Sequence, residues 1–580
     1  MDNIFDINFL NDERGIACIF NREEILNKTF KIKIKLIINA INKMGEIKNI
    51  AVILDRTDNL LAVLCASLIG GYTYIPIDPT LPINRISYML KNSNADLVIT
   101  SSKYIMSYAP LFMTLNIDDV FAIGTDVIVE FNAIDKQNEI AYIIYTSGTT
   151  GTPKGVEIKR DSLVNFIEGV SKRIDFSAGK RILSSTTVSF DIFFMETIMA
   201  LCKGLTIVLA NDEEYRNPKL LANLIEENNV DMIQLTPSKL QLMLNYDREL
   251  KCFNKVSEIM IGGETFAKEL LKILKSKTKA KIYNMYGPTE ATIWVTISEL
   301  TYKEDVDLGT PIQNAQLYII DDKNNIVTNE TIGEIIITGI CLAKCYHDDE
   351  KLTNDKFIYL SDASLTFLAY RTGDLGRLSE GRFFYMGRKD SQVKIRGNRI
   401  ELEEIESVLN SNNAICQSVV VDITTNSGDK ILVAFIVENS LIDDVEICLF
   451  LSAYLPEYMI PAKYIRVDKL EYTFNEKIDR KLLREKYKGM EATPNTNYVA
   501  FNLQDEIINV IKNNIDQNIF STVTCDMELP SSGIDSVTFV KIVVALEEFF
   551  NFEFDDEMLL FTAFPTIKSM VEYVESKIQK

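Results

Sequence analysis

Three stretches of the chain carry residue types whose spacing suits chemistry. The first is TSGTTGTPKG, residues 146–155. Gly148, Gly151 and Gly155 let backbone N–H groups approach an anion. The hydroxyls of Thr146, Ser147, Thr149, Thr150 and Thr152 add donors, and Lys154 supplies a point charge. That set suits a polyphosphate. It is not the P-loop arrangement, in which Lys and Ser/Thr open a helix, because Pro153 precedes the lysine and Gly155 follows it. The second stretch is Gly287-Pro288-Thr289-Glu290, a tight turn with a hydroxyl and a carboxylate. Mg²⁺ takes one or two carboxylates and completes its shell with phosphate oxygens, so this turn suits a magnesium–phosphate site. The third is Asp191, bordered by Phe190, Ile192, Phe193 and Phe194. A carboxylate in such surroundings calls for a cation, unless it only caps a helix.

Elements that would hold these residues are visible in the periodicity. Ala141, Ile143 and Ile144 predict a buried strand leading into the first loop, and the alternation Val156-Glu157-Ile158 predicts a second strand after it. Before the loop, strand-like runs at 50–54 and 97–100 alternate with helical patterns at 30–43 and 60–70, which is α/β patterning with parallel sheets. The prolines of residues 70–90 predict a turn into a helix starting near Pro82. Further strands are expected at 230–235 and 258–261.

Composition narrows the class of protein. A chain of 580 residues is long enough for about four domains. A net charge of −21 argues against nucleic acid or an anionic membrane as a partner. No window approaches the roughly 20 apolar residues of a membrane-spanning helix, and the acidic start MDNIFDINF is unlike a signal peptide. Nine cysteines without a framework suit a reducing cytoplasm. Cys341, Cys345 and the lone His347 lie close together, but no fourth ligand is in view for zinc.

The run TSGTTGTPKG resembles the phosphate-binding signature of adenylate-forming enzymes: acyl-CoA synthetases, luciferases and the adenylation domains of nonribosomal peptide synthetases. Further motifs follow in the order of the peptide-synthetase branch: NMYGPTEATIW at 284–294, YRTGDL at 370–375, GRKD at 387–390, QVKIRGNRIELEEIE at 392–406 and NEKIDR at 475–480. The resemblance implies a large α/β adenylation subdomain with mixed and parallel sheets (1–388) and a small α+β lid subdomain (389–488). A linker (489–500) and an all-α, four-helix peptidyl carrier domain (501–580) follow. It implies ATP contacts from Thr146, Ser147, Gly148, Thr149, Thr150, Gly151 and Lys154 in the loop, and from Gly263, Glu264, Tyr286, Gly287, Thr289, Asp374 and Arg388 beyond it. Tyr286 would stack on adenine, Asp374 would accept the ribose hydroxyls, and Glu290 would hold Mg²⁺. Asp390 would be the hinge of the lid. Lys477 would be the mobile catalytic lysine, with Glu476 standing where family members usually carry Gly. Taken alone, Lys477 would be surface charge and Asp390 a solvated carboxylate.

In amino-acid-activating members the Asp matching Asp191 binds the substrate α-ammonium. The matching pocket positions are Asp191, Ile192, Met195, Gln234, Met260, Gly262, Met285, Ile293, Trp294 and Lys477. Three Met, two Ile and the only Trp fill this wall, and the set resembles the combination associated with glycine. Alanine or another small amino acid stands behind it, because one methyl group is worth only about 1–3 kcal/mol of discrimination. Helical patterns at 503–515, 537–550 and 567–578 enclose Gly533-Ile534-Asp535-Ser536, which looks like a carrier attachment site. Ser536 would carry 4′-phosphopantetheine, added by a phosphopantetheinyl transferase. Such a serine is otherwise a plain helix cap. No condensation signature or thioesterase nucleophile elbow is present in the sequence. The expected partners are therefore Mg·ATP, a small amino acid and a downstream enzyme on a separate chain, in secondary-metabolite synthesis in the cytoplasm. An acyl- or aryl-CoA ligase is the runner-up, and a non-catalytic carrier scaffold comes last.

Overall fold

In the computed structural model the described residues are 5, 10–122, 138–148, 152–327, 330–362, 365–425, 430–471, 478–492, 511, 536–550, 554–555, 558, 564 and 566–578. Residues Met1–Arg484 form one compact unit and Glu485–Lys580 a second.

Two sheets of the first unit are largely parallel. In the seven-stranded sheet, strands Asn49–Ile53, Thr73–Pro76, Leu97–Thr100, Thr114–Asn116 and Ile140–Thr146 run parallel, and Lys154–Lys159 and Cys345–Tyr346 close one edge antiparallel. The nine-stranded sheet has a parallel centre of Ile16–Phe20, Thr206–Leu209, Arg181–Ser184, Met232–Leu235, Glu258–Gly262 and Lys281–Tyr286. Both lie between helices, so their strands read as continuous apolar runs (LVIT at 97–100, MIQL at 232–235). Helices Asn27–Asn42, Asp58–Ile69 and Ile83–Asn92 lie where the patterns predict them. Pro82 stands at the N-cap of the third, where its missing N–H costs nothing.

A third, antiparallel sheet contains the 15-residue strand Leu365–Ser379 paired with Arg382–Arg388. The end of the first unit has its own core. There, the hairpin Val393–Ile395/Asn398–Ile400 and helices Leu402–Asn410 and Asp444–Ser452 accompany a sheet of Ile415–Thr424, Lys430–Glu438 and Lys463–Arg466. In the second unit helices Ser536–Phe550 and Ile567–Ile578 are described. The helix expected at 503–515 lies outside the described residues except at Ile511. Among the described residues no helix is long and apolar enough to cross a membrane.

Candidate active site

The phosphate-type loop connects two antiparallel strands, with Thr146 opposite Lys154. Gly148 is needed there because a Cβ would stand 2.1 Å from the Thr152 carbonyl oxygen. Thr149, Thr150 and Gly151 lie outside the described residues. Lys154 is buried. Its Nζ sits 3.4 Å from Glu401 Oε1 and lies over the Tyr346 ring. Burial pulls its pKa down and Arg399 adds to this, while Glu290 and Glu401 oppose.

Glu290 has no exposed surface, yet it is held as a carboxylate. Its Oε1 accepts from Tyr346 OH at 2.6 Å and its Oε2 from Arg399 Nη1 at 2.7 Å. Burial alone would raise its pKa, but Arg399 and Lys154 hold it well below the usual carboxylate range. An ionised carboxylate beside a lysine-bearing phosphate loop fits one Mg²⁺ whose remaining ligands are phosphate oxygens and water. Among the described residues no group of three or more His, Cys, Asp and Glu forms a closed metal site. His347 Nδ1 pairs instead with Glu157 Oε1 at 2.6 Å.

The strand pair Leu365–Ser379/Arg382–Arg388 sets Asp374 directly opposite Arg388. Asp374 accepts from Arg388 Nη1 at 2.6 Å and from Tyr286 OH at 2.7 Å. Arg388 also grips both oxygens of Asp390, at 2.6 and 2.7 Å. The neighbouring Gly373 (φ +72°) leaves room for this, since a Cβ there would meet Asp390 Oδ2 at 2.7 Å. Burial opposes the charge on Arg388, but Asp390 and Asp374 hold it firmly protonated. The spacing of TGDL and GRKD thus becomes a contiguous Tyr286–Asp374–Arg388–Asp390 group.

Asp191 is 7 % exposed and precedes the short helix Ile192–Phe194 without capping it. Desolvation lifts its pKa from 3.8 to about 6. The Thr289 hydroxyl opposes the rise and the Glu290 charge reinforces it. The chain then runs through a π-helix, Met195–Met199. Its Glu196 is buried and accepts the N–H groups of Ser185 and Thr186 at 3.0 Å each, tying the π-helix to the segment before Asp191. Sequence reading missed this anchor.

Met195, Gln234, Met260, Met285, Ile293 and Trp294 are all buried. Gly262 and Met285 are register partners on adjacent strands, and a Cβ on Gly262 would lie 2.7 Å from Trp294 Cη2. The indole therefore rests against the glycine. Its position follows from two consecutive left-handed residues, Thr292 (φ 59°) and Ile293 (φ 68°), which cost about 1–3 kcal/mol each. Thr292 Oγ1 donates to the Cys341 carbonyl at 2.7 Å and helps hold that turn. Gly263 (φ 87°) lies near Ile192 and Thr236. Glu264, expected to contact ATP, accepts from Ser238 N and Oγ and from Gly397 N.

The segment 392–404 supplies partners that motif reading left without roles. In the hairpin, Val393, Ile395 and Ile400 enter the local core, while Lys394 and Arg399 are directly paired and so share the opposite face. Arg399 reaches Glu290, and its carbonyl accepts from Ser147 Oγ at 2.9 Å. Glu404 is buried, accepts from Arg85 Nη1 at 2.7 Å, and takes the Gly148 N–H at 3.0 Å. The only sequence signal was the alternation of charged and apolar residues in QVKIRGNRIE. Lys477 and Glu476 lie outside the described residues. Ser536 is the first residue of helix Ser536–Phe550.

The AMP-binding enzyme family matches residues 42–347, and the phosphopantetheine attachment site family matches residues 507–574. The chain belongs to the AMP-binding enzymes. This AMP-binding enzyme is 34% identical over 448 residues to a dimodular nonribosomal peptide synthase of Bacillus subtilis (strain 168), covering 76% of this chain and 19% of that protein. The chain thus spans about a fifth of that relative. Among solved structures it resembles a four-domain nonribosomal peptide synthetase bound to AMP and glycine (26% identity, TM-score 0.61), covering 100% of this chain and 43% of that one. It also resembles a synthetase protein containing adenylation and PCP domains (21% identity, TM-score 0.73), covering 99% of this chain and 96% of that one. The α/β architecture and the order of an adenylation domain followed by a carrier therefore belong to this AMP-binding enzyme.

Proposed function

We propose that the chain activates glycine with Mg·ATP as glycyl-AMP and passes the glycyl group to a thiol carried on its own Ser536. The carrying observation is the pairing of a buried carboxylate, Asp191, with a wall in which Trp294 rests on Gly262. The carboxylate suits an α-ammonium, and the filled wall leaves space for an α-hydrogen. The 26% identical structure bound to AMP and glycine supports the same substrate.

On this reading Asp374 and Tyr286 hold the nucleoside, with Arg388 keeping Asp374 in place. Lys154, Ser147 and Gly148 take the β- and γ-phosphates together with Thr149, Thr150 and Gly151. Glu290 supplies the one acidic ligand for Mg²⁺, which would neutralise phosphate charge. Lys477 stabilises the charge that develops as the carboxylate attacks the α-phosphorus, a step carried mostly by positioning and electrostatics. Residues 389–488 act as the lid that turns about Asp390. The Arg388 clamp on both Asp390 oxygens would fix one position of that hinge.

The linker expected at 489–500 would begin after residue 492, because 489–492 complete the helix Arg480–Ala492, and 501–580 would be the four-helix carrier. Ser536, at a helix start, fits the attachment of 4′-phosphopantetheine, which supplies the acceptor thiol; a phosphopantetheinyl transferase adds it. The product would go to a downstream enzyme on a separate chain, in the cytoplasm.

An ATP–pyrophosphate exchange panel over amino acids and simple carboxylic acids tests the substrate. Strong exchange with a large apolar amino acid and none with glycine would sink it. Labelled glycine should attach covalently to the modified protein and not to Ser536→Ala, with exchange intact in both.

A further inference from the structure

We propose that Glu196 is a positioning residue for the amino acid: with Arg56 and Lys239 it clamps the stretch that carries Asp191, so that this carboxylate stands ready for the substrate ammonium. The inference rests on the adenylation reading above. The sequence motifs assign none of the three residues a role.

The clamp begins where two sheets end. Arg56 follows the strand Asn49–Ile53 of the seven-stranded sheet and is buried. It crosses to the nine-stranded sheet, where Nε donates to the Ala210 carbonyl at 2.6 Å, just past Thr206–Leu209. Its Nη2 donates to Ser184 Oγ at 2.9 Å, at the end of Arg181–Ser184. Its Nη1 reaches the Thr186 carbonyl. In open α/β sheets the carboxyl ends of the strands are where ligands are held, and the chain leaves this end towards Asp191.

Glu196 grips the same stretch from the other side of Asp191. It has no exposed surface. Its Oε2 accepts from Ser185 N and Thr186 N at 3.0 Å each, and its Oε1 accepts from Thr186 Oγ1 at 2.5 Å. Lys239 Nζ donates to the Ser185 carbonyl at 3.2 Å and to the Tyr215 carbonyl at 3.0 Å. Both N–H groups and both carbonyls of Ser185 and Thr186 therefore end on charged side chains. Burial raises the pKa of Glu196, while the Thr186 contacts and the charges of Arg56 and Lys239 oppose the rise. Hydrogen bonds to charged groups are stronger than neutral ones, and burying three charges is costly. Such a cost suits a place where geometry matters.

The grip closes the chain on itself around Asp191. Within the closed stretch Phe190 N donates to the Thr187 carbonyl at 3.1 Å, and Phe194 N to the Asp191 carbonyl at 3.0 Å. Phe194 also stacks on Tyr142 at 4.0 Å, in the strand that feeds the phosphate-type loop. Asp191 is thus held from both ends by groups that touch no substrate. A displacement of about 1 Å at a binding group can cost roughly 100-fold in rate.

Pyrophosphate exchange by the full chain gives KM for glycine and KM for ATP separately. Glu196→Ala orphans two buried N–H groups and frees the stretch. KM for glycine should rise roughly 10- to 100-fold, while KM for ATP changes by less than about threefold. Lys239→Met frees only the Ser185 and Tyr215 carbonyls and should raise KM for glycine roughly 3- to 10-fold. It takes the place of the alanine variant in every comparison should that variant not fold. A purely structural part would not depend on Asp191. In the Asp191→Asn background, Glu196→Ala should therefore lower kcat/KM for glycine by less than about threefold, since the group it positions is already gone. The proposal is overturned if KM for glycine stays at the wild-type value, or if KM for ATP rises by the same factor. Losses that add in full in the Asp191→Asn background would overturn it as well. Absence of exchange with every amino acid in wild type would overturn the adenylation reading, and the role of the clamp with it.

Discussion

Amino-acid binding should weaken as Asp191 takes up a proton. Desolvation, reinforced by the charge of Glu290, raises this carboxyl from 3.8 to about 6, against the hydrogen bond from Thr289. An α-ammonium pairs with the ionised form. The value of kcat/KM for the amino acid should therefore be level above about pH 7 and fall with unit slope below about pH 6. At pH 5 about one tenth of the groups would be ionised, a loss of roughly tenfold or about 1.4 kcal/mol. The assay is pyrophosphate exchange at saturating ATP and subsaturating glycine between about pH 5 and pH 8. Asp191→Asn should remove the acid limb and cost roughly 3 kcal/mol or more, because it leaves the substrate ammonium without a counter-charge. A flat profile in the wild-type protein, or an unchanged limb in the Asn variant, would refute the reasoning. For folding the sign is opposite. The folded chain holds this proton more tightly than the unfolded one. Its stabilising contribution is full below 3.8 and is lost as pH rises through about 6.

Two further substitutions probe the wall and the loop. Trp294→Ala removes a buried ring that rests on Gly262, so it should lower stability by about 3–5 kcal/mol. The same variant should raise exchange with alanine or valine relative to glycine by at least roughly tenfold, and unchanged selectivity would argue against the indole as the limit on size. Gly148→Ala places a methyl 2.1 Å from the Thr152 carbonyl and forces the loop to re-form. A cost of about 1–3 kcal/mol should appear as a roughly 5- to 150-fold rise in KM for ATP, and thermal melting should barely change. An unaltered KM would show that the loop conformation does not matter to ATP.

The strands and helices of the parallel sheets were legible because burial on both faces writes itself as apolar runs between turn residues, as at 97–100 and 232–235. TSGTTGTPKG stands out as a candidate because donors and glycines for a polyphosphate must be contiguous in sequence when one loop supplies them. Asp191 was legible because its neighbours are apolar and its charge needs a reason. The anchors behind these groups were not. Glu196 fastens the π-helix to a segment ten residues earlier, and nothing in its own neighbourhood marks it as special. Arg85, Glu401 and Glu404 read locally as ordinary charges, as does Tyr346 as an ordinary aromatic.

What the sequence by itself determined was an inventory of candidates: a loop that suits polyphosphate, a carboxylate that suits Mg²⁺, a lone carboxylate in an apolar run and a serine proposed for attachment. Each depends on residues within a few positions of one another. Only the tertiary structure decided which charge meets which. Arg399 ends on Glu290, 109 residues away, and Glu404 takes both Arg85 and the Gly148 amide. Those pairings depend on the seating of the hairpin and of the helix that follows it against distant segments of the chain, and no local periodicity encodes the distance between two charges that far apart.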